Sequence, residues 1–260
     1  MSTSQHALRD RKDITVESLF FVNQAVKLFS LYLVQYGCGL LAVYKSVKVN
    51  YTRKISHFCL FLIPLFLDEL IVYERTIGVF LAGAVISIAT LLIYISPVRR
   101  RIPVINMMFA GFDRPEDRPM TLLWLSTQVI AGYLVIIPFL VLYVFYDMVH
   151  LILVPVLITA IGDGLAEPVG VRFGRHAYRV NALFSDKKYH RTLEGSACVF
   201  VASVGVIALY HDSFTMPQFA AAMMVVPPAM TLTEAFSPHT WDTPTLFLAG
   251  YLILFGIMFI

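Results

Sequence analysis

The feature that most limits how this 260-residue chain can fold is the recurrence of apolar runs long enough to cross a bilayer. A hydrocarbon core about 30 Å thick needs roughly 17–25 predominantly apolar residues of helix. Runs of this kind fall near residues 28–44, 55–73, 76–96, 121–146, 149–171, 195–210, 217–233 and 244–260, the first and seventh being the weakest. Their apolar residues are continuous rather than alternating, so helices, which pair their own backbone groups, are expected and a barrel is not. Composition agrees: 14% of residues are charged, against about 25% in soluble domains. The expected fold is therefore all-α, a polytopic membrane protein with about seven to eight transmembrane helices.

Residues 1–18 read as a polar N-terminal tail and residues 19–260 as a single integral membrane domain. The first apolar stretch is interrupted by Asn23, Gln24 and Lys27 and has no small-residue cleavage site, which argues against a signal peptide. Cys38, Cys59 and Cys198 are too dispersed for a disulfide framework or a zinc site. Basic residues crowd the odd-numbered loops: Lys45, Lys48, Arg53 and Lys54, then Arg99, Arg100, Arg101, Arg114 and Arg118, then Arg172, Arg175, Arg179, Lys187, Lys188 and Arg191. The even loops hold only Arg75, so the enrichment of Lys and Arg in cytoplasmic loops places the odd loops inside. Arg9, Arg11 and Lys12 leave an interfacial first helix open.

Into the fifth apolar run the chain inserts "ITAIGDGLAEPVG", with Asp163 and Glu167 four residues apart. An acid at the bilayer centre costs about 2.5–3.5 kcal/mol on insertion scales, so it is expected to face a polar interior and to have a function. Gly162 and Gly164 permit unusual backbone angles, and Pro168 disfavours helix at Glu167. A broken helix lining a cavity is expected here, although Gly170 and Gly174 also form a GxxxG packing pair. In "DKKYHRTLEGS" Thr192 caps the next helix, leaving the N–H groups near Glu194 and Gly195 as an anion site beside Lys187, Lys188 and Arg191. Glu234 and Asp242 return to the same side later, and Arg53, Lys54 and His57 stand at the mouth of the second run. Cations gathered around carboxylates suit a magnesium nucleotide, the acids taking Mg2+ and the cations the phosphates.

These pieces carry a resemblance. Arg53-Lys54-x-x-His57, Gly162-Asp163-Gly164 with Ala166, Gly170 and Gly174, Arg191-Thr192-x-Glu194-Gly195-Ser196, and Glu234 followed by Asp242 and Thr245 run in the order seen in the polyprenol kinase family. That family includes dolichol, phytol and CTP-dependent diacylglycerol kinases and is distantly related to phosphatidate cytidylyltransferases. Arg191 stands where the family usually has Lys, and Thr243 where it usually has Asn. The resemblance implies a kinase-like membrane domain that transfers the γ-phosphoryl group of a nucleoside triphosphate, CTP or ATP, to a membrane lipid alcohol. It implies Asp163, with Glu194 or Asp242, as ligands of magnesium. Arg53, Lys54, Gly162, Gly164, Lys187, Lys188, Arg191, Thr192, Gly195 and Ser196 are then the phosphate-binding set. Asp163, Asp242 and His57 are each eligible as the base, and Glu167 and Glu234 are further candidates. The active face is expected on the cytoplasmic side, and no nucleic acid is expected as a partner. A cytidylyltransferase or a transporter is the alternative, but no K-D-x6-P-G-H-G-G ending is present and no related halves are evident.

Overall fold

The computed structural model describes residues 3–182, 186–239 and 241–260, with side chains from residue 19 onward. Its helices are α1 (Thr3–Tyr44), α2 (Val49–Leu70), α3 (Ile77–Thr90), α4 (Ser96–Arg101), α5 (Pro103–Ala110), α6 (Thr121–Phe145), α7 (Leu153–Ile158), α8 (Gly164–Phe173), α9 (Leu193–Leu209), α10 (Met216–Phe236) and α11 (Asp242–Ile257). Much of the segment expected as a polar tail is thus helical and continuous with α1.

Among the described residues, five helical stretches are long and apolar enough to cross a membrane: Leu19–Tyr44, Ile77–Tyr94, Thr121–Phe145, Val149–Phe173 and Met216–Phe236. They make the chain a multi-pass membrane protein in outline. The two weakest apolar runs are among them, whereas the second, sixth and eighth are not. Helices α9 and α11 have 17 and 16 residues, about 25 Å at 1.5 Å per residue, and α2 carries Arg53, Lys54, Asp68 and Glu69. The polar interruption of the first run is satisfied internally. Asn23 Nδ2 donates to Leu67 O, Asp68 Oδ1 and Ile71 O, each at 3.1 Å, and Lys27 pairs with Asp68 at 2.5 Å.

Val149–Phe173 is the central element: 61% of its most apolar window is buried, against 11–28% in the other four. Leu151, Val154 and Ile158 pack with Val199 of α9, Val226 and Met230 of α10, and Leu246, Tyr251 and Leu254 of α11. The two buried tyrosine hydroxyls there find carbonyls, Tyr143 on Tyr251 O at 2.8 Å and Tyr251 on Ile152 O at 3.0 Å, which removes the cost of burying them.

The break expected at GDG does not form. Thr159–Asp163 is a π-helical turn that joins α7 to α8 without interruption, Glu167 stays helical ahead of Pro168, and no described glycine has a positive φ. The glycines serve close packing instead. A Cβ on Gly162 would lie 2.8 Å from Val199 Cα, one on Gly195 2.6 Å from Ala166 O, and one on Gly170 2.8 Å from Thr192 Oγ1.

One β-hairpin departs from the all-helical expectation. Ala177–Asn181 (β1) pairs antiparallel with Lys188–Thr192 (β2), Ala177 opposite Thr192 and Asn181 opposite Lys188. Both strands alternate inward and outward residues, a period of two hidden in a segment read as a basic loop. The hairpin leads directly into α9, capped by Thr192 Oγ1 accepting the Gly195 N–H at 3.1 Å.

Two neighbouring glycines on α1 should respond in opposite ways to alanine. The Gly39 Cβ would meet Met107 O at 2.5 Å, whereas at Gly37 nothing lies within 4 Å. Gly39→Ala should cost about 1–3 kcal/mol by overpacking, and Gly37→Ala should gain up to about 1 kcal/mol in helix propensity. Thermal unfolding of both variants in one detergent checks the sign of each.

Candidate functional site

The site is built on the π turn and the helix that follows it. Asp163 is 4% exposed, and Lys54 reaches it from α2. The ammonium spends its three N–H donors on the Asp163 carbonyl at 2.7 Å and on both carboxylate oxygens at 3.0 Å. His57, one turn along α2, places Nε2 3.6 Å from Asp163 Oδ2 and 3.4 Å from the carbonyl of Thr159, the first residue of the π turn. One turn along α8, Glu167 pairs with Arg53 and accepts from Asn50 Nδ2 at 2.7 Å. The four-residue spacings of Arg53 to His57 and of Asp163 to Glu167 thus face each other across one helix contact.

A second group forms where β2 meets α10 and α11. The Arg191 guanidinium bonds the Glu234 carbonyl and pairs with its carboxylate at 2.9 Å, and it lies 3.5 Å from Asp242 Oδ2. Ser196 donates to Glu234 Oε2 at 2.7 Å and lies 2.6 Å from the Tyr178 hydroxyl. Burial works against the Arg191 charge, but Asp242, Glu234 and Asp163 outweigh it and raise its pKa above the ordinary value. The field of Asp163 therefore reaches this second group.

Arg114, read from sequence only as a topological charge, extends the first group toward the hairpin that carries the second. It is buried and holds Glu167 at 2.9 Å, Asp117 at 2.7 Å and His239 Nε2 at 2.8 Å. His239 Nε2 also lies 3.1 Å from Asp117 Oδ1, and its ring stacks on Tyr189 at 3.5 Å and meets the edge of Trp124. Asp117, Asn50, Tyr178 and Tyr189 join the site with no motif to announce them. The only sequence signal was that Arg114 and Asp117 are three apart after a Gly-Phe-Asp turn, a common arrangement.

Several expected members stand elsewhere. Glu194 is two residues from Ser196, so the helix turns it roughly 200° away, where it pairs with exposed His176 at 2.7 Å. The N-terminus of α9 is not an open anion site: the Leu193 N–H donates to His176 O, the Gly195 N–H to Thr192 Oγ1, and the Glu194 N–H to its own carboxylate. Lys188 alternates with Arg191 along β2 and faces outward, while Lys187 Nζ lies 3.4 Å from Glu116 O at the surface. Gly162 and Gly164 carry packing against Val199 and Phe58 rather than free amides for a phosphate.

Among the described residues, no group of three or more His, Cys, Asp or Glu side chains is placed to hold a metal ion. Magnesium, however, retains waters and uses one or two carboxylates together with substrate phosphates. Asp163 and Asp242 stand as single carboxylates already paired with Lys54 and Arg191, and Glu194 does not join them. Comparison of the chain with protein-family models, with curated proteins and with solved structures found no match.

The Arg114 connection predicts acid sensitivity. Burial lowers the His239 pKa below 6.5, Asp117 opposing and Arg114 reinforcing the shift. The unfolded chain takes up this proton near pH 6.5 and the folded chain only at lower pH, so stability falls as pH drops between those values. Asp117, although buried, is lowered below 3.8 by His239 and Arg114, and its contribution is lost only as pH falls through that lower value. Melting temperature should therefore decline from pH 6.5 downward in the wild type, and His239→Gln should flatten that slope.

Proposed function

We propose that the chain is a lipid-alcohol kinase of the membrane. In this reading it transfers the γ-phosphoryl group of a nucleoside triphosphate, CTP favoured, to the hydroxyl of a polyprenol, dolichol, phytol or diacylglycerol type of lipid at the cytoplasmic face. The finer reading of seven to eight spans belongs to this proposal, with α2, α9 and α11 crossing alongside the five longer helices. One observation supports the reading above others. Arg53, Lys54, His57, Asp163, Arg191, Ser196, Glu234 and Asp242, which carry the resemblance to polyprenol kinases, belong to two ion-pair groups, and Arg114 ties the first of them to His239, which rests on the hairpin that carries Arg191.

Phosphoryl transfer asks for positioning and charge neutralisation rather than covalent chemistry from the protein. Lys54 and Arg191 supply the positive charge, held in place by Asp163, Glu234 and Asp242 until phosphate competes for them. Arg53 offers a further donor, because its Nε is buried without a hydrogen-bond partner. Magnesium on Asp163 or Asp242 would supply charge to the phosphate oxygens. Asp163, Asp242 and His57 remain the candidates to accept the lipid proton.

Incubating purified protein with CTP labelled at the γ or the α phosphate and a panel of lipid alcohols tests the reading. Label from the γ position on the lipid supports a kinase, label from the α position a cytidylyltransferase, and neither label a transporter. Asp163→Asn, which keeps an acceptor for Lys54, should lower the rate by about 10²–10³-fold. Arg191→Lys should retain substantial activity if a point charge suffices, and a loss as deep as that of Asp163→Asn would show that the two-pronged guanidinium is required.

The side of the membrane is testable at Arg179, exposed on β1, since Ser185 lies outside the described residues. Arg179→Cys in a background without Cys38, Cys59 and Cys198 should react with an impermeant thiol reagent only from the cytoplasmic side.

A further inference from the structure

Arg53, Lys54, Arg114, Arg118 and Arg191 each pair with a carboxylate. Arg99, Arg100 and Arg101, consecutive on α4, pair with none among the described residues. Prolines bracket the helix that carries them, Pro97 in its first turn and Pro103 at the start of α5, so the three cations stand on a short and fixed element. Arg99 lies on the face of Phe109, 3.7 Å from the ring centroid. Its one hydrogen bond among the described residues is donated to Ser96 Oγ at 3.4 Å, and its Nε is buried without a partner. Arg100 and Arg101 are exposed.

Packing sets this element at the end of the bundle where α1 hands over to α2. Tyr32 of α1 packs against the cluster of Tyr94, Met108, Phe109 and Phe112, and seven residues further along α1 Gly39 meets Met107. Thr52, in the first turn of α2, donates to Gly111 O at 2.6 Å. The three arginines therefore follow directly on the candidate span Ile77–Tyr94, beside the ends of two other membrane helices. Apolar side chains flank them and face outward: Leu92, Ile95, Ile102 and Val104 are all exposed, Leu92 by 63% and Val104 by 50%. Exposed cations and exposed aliphatic side chains on one short element are what a segment in the headgroup layer presents.

We infer that α4 binds the headgroup phosphate of an anionic phospholipid in the leaflet at that end. Charge and apolar surface together select this partner. Three neighbouring guanidinium groups repel one another and call for an anion. A guanidinium grips phosphate through two parallel hydrogen bonds, and stacking on Phe109 holds Arg99 ready for one. An acidic peptide or a nucleic acid would leave Leu92 and Val104 in water, whereas the acyl chains of a lipid cover them. A zwitterionic lipid brings its own cation to the phosphate and neutralises less of the arginine charge. The inference does not depend on the kinase reading, because among the described residues no ion pair or hydrogen bond joins Arg99, Arg100 or Arg101 to either ion-pair group.

Native mass spectrometry of the full chain in detergent, titrated with dioleoyl phosphatidylglycerol or dioleoyl phosphatidylcholine, gives the affinity of the first lipid bound. The wild type should hold phosphatidylglycerol at least about tenfold more tightly. Arg100→Gln with Arg101→Gln should weaken that binding about thirtyfold, and Arg101→Gln alone about fivefold, as expected for about 1 kcal/mol per charge near an anionic surface. Arg172→Gln with Arg175→Gln removes the same charge from another exposed stretch and should leave the affinity unchanged. Both double variants should melt with the wild type, and if the α4 pair does not, the single Arg101 variant carries the comparison. Equal affinity for the two lipids, an undiminished affinity in the α4 variants, or an equal loss in the Arg172 and Arg175 pair, which would mean diffuse surface charge, each overturns the inference. So does complete displacement of the lipid by millimolar inorganic phosphate, which would make α4 a site for free anions.

Discussion

A carboxylate on the most buried helix of a membrane protein must be neutralised by its neighbours, and Lys54 against Asp163 is how this chain does it. Removing two charges from water costs several kcal/mol each, repaid only when geometry and additional hydrogen bonds are good. Here the ammonium uses all three donors on one residue, and His57 stands beside the same carboxylate. That requirement sets the register of α2 on the central helix. It also gives the π turn a role, since the wide turn presents Thr159 O and Asp163 together to α2. π turns inserted into α-helices recur at functional sites.

From this pair the constraint spreads outward. Glu167, one turn on, needs Arg53 and Arg114, and Arg114 in turn fixes Asp117 and His239. His239 is also held through its backbone, its N–H donating to Asn181 O on the hairpin at 2.9 Å. The hairpin then aims Arg191 at Glu234 and Asp242. Glycines at 162, 170 and 195 let the helices carrying these groups approach closely, so the charged cluster and the apolar packing are parts of one arrangement. Such a closed network is rigid as it stands, and any anion it receives must compete with carboxylates already in place.

Much of the site was legible because its chemistry is unusual for its location. An Asp among apolar residues, an Arg and a His four apart, and a capped helix after a basic stretch each stand out against a hydrophobic background. The partners of these residues did not stand out. Arg114 and His239 are 125 positions apart and meet only through the packing of α6, α10 and α11 around the central helix. Glu194 was misread for the opposite reason: proximity in sequence to Arg191 and Ser196 says nothing of facing, and the two-residue offset from Ser196, about half a helical turn, sends it to the other side. The expected helix break failed because Gly and Pro only permit a break, while tight packing on α9 and α2 favours continuity.

What the sequence determined by itself was the environment and the local period: long apolar runs require helices in a bilayer, and acids within them require partners. Capping at Thr192, the pairing of faces at i and i+4, and the uneven distribution of basic loops follow from the same short-range rules. Only the tertiary structure decided which cation meets which carboxylate, that the GDG segment widens instead of breaking, and that Glu194 turns away from the cluster to pair with His176. Those outcomes depend on which helix faces which, and that is set by the summed packing of small and large side chains across the whole bundle rather than by any local stretch of chain.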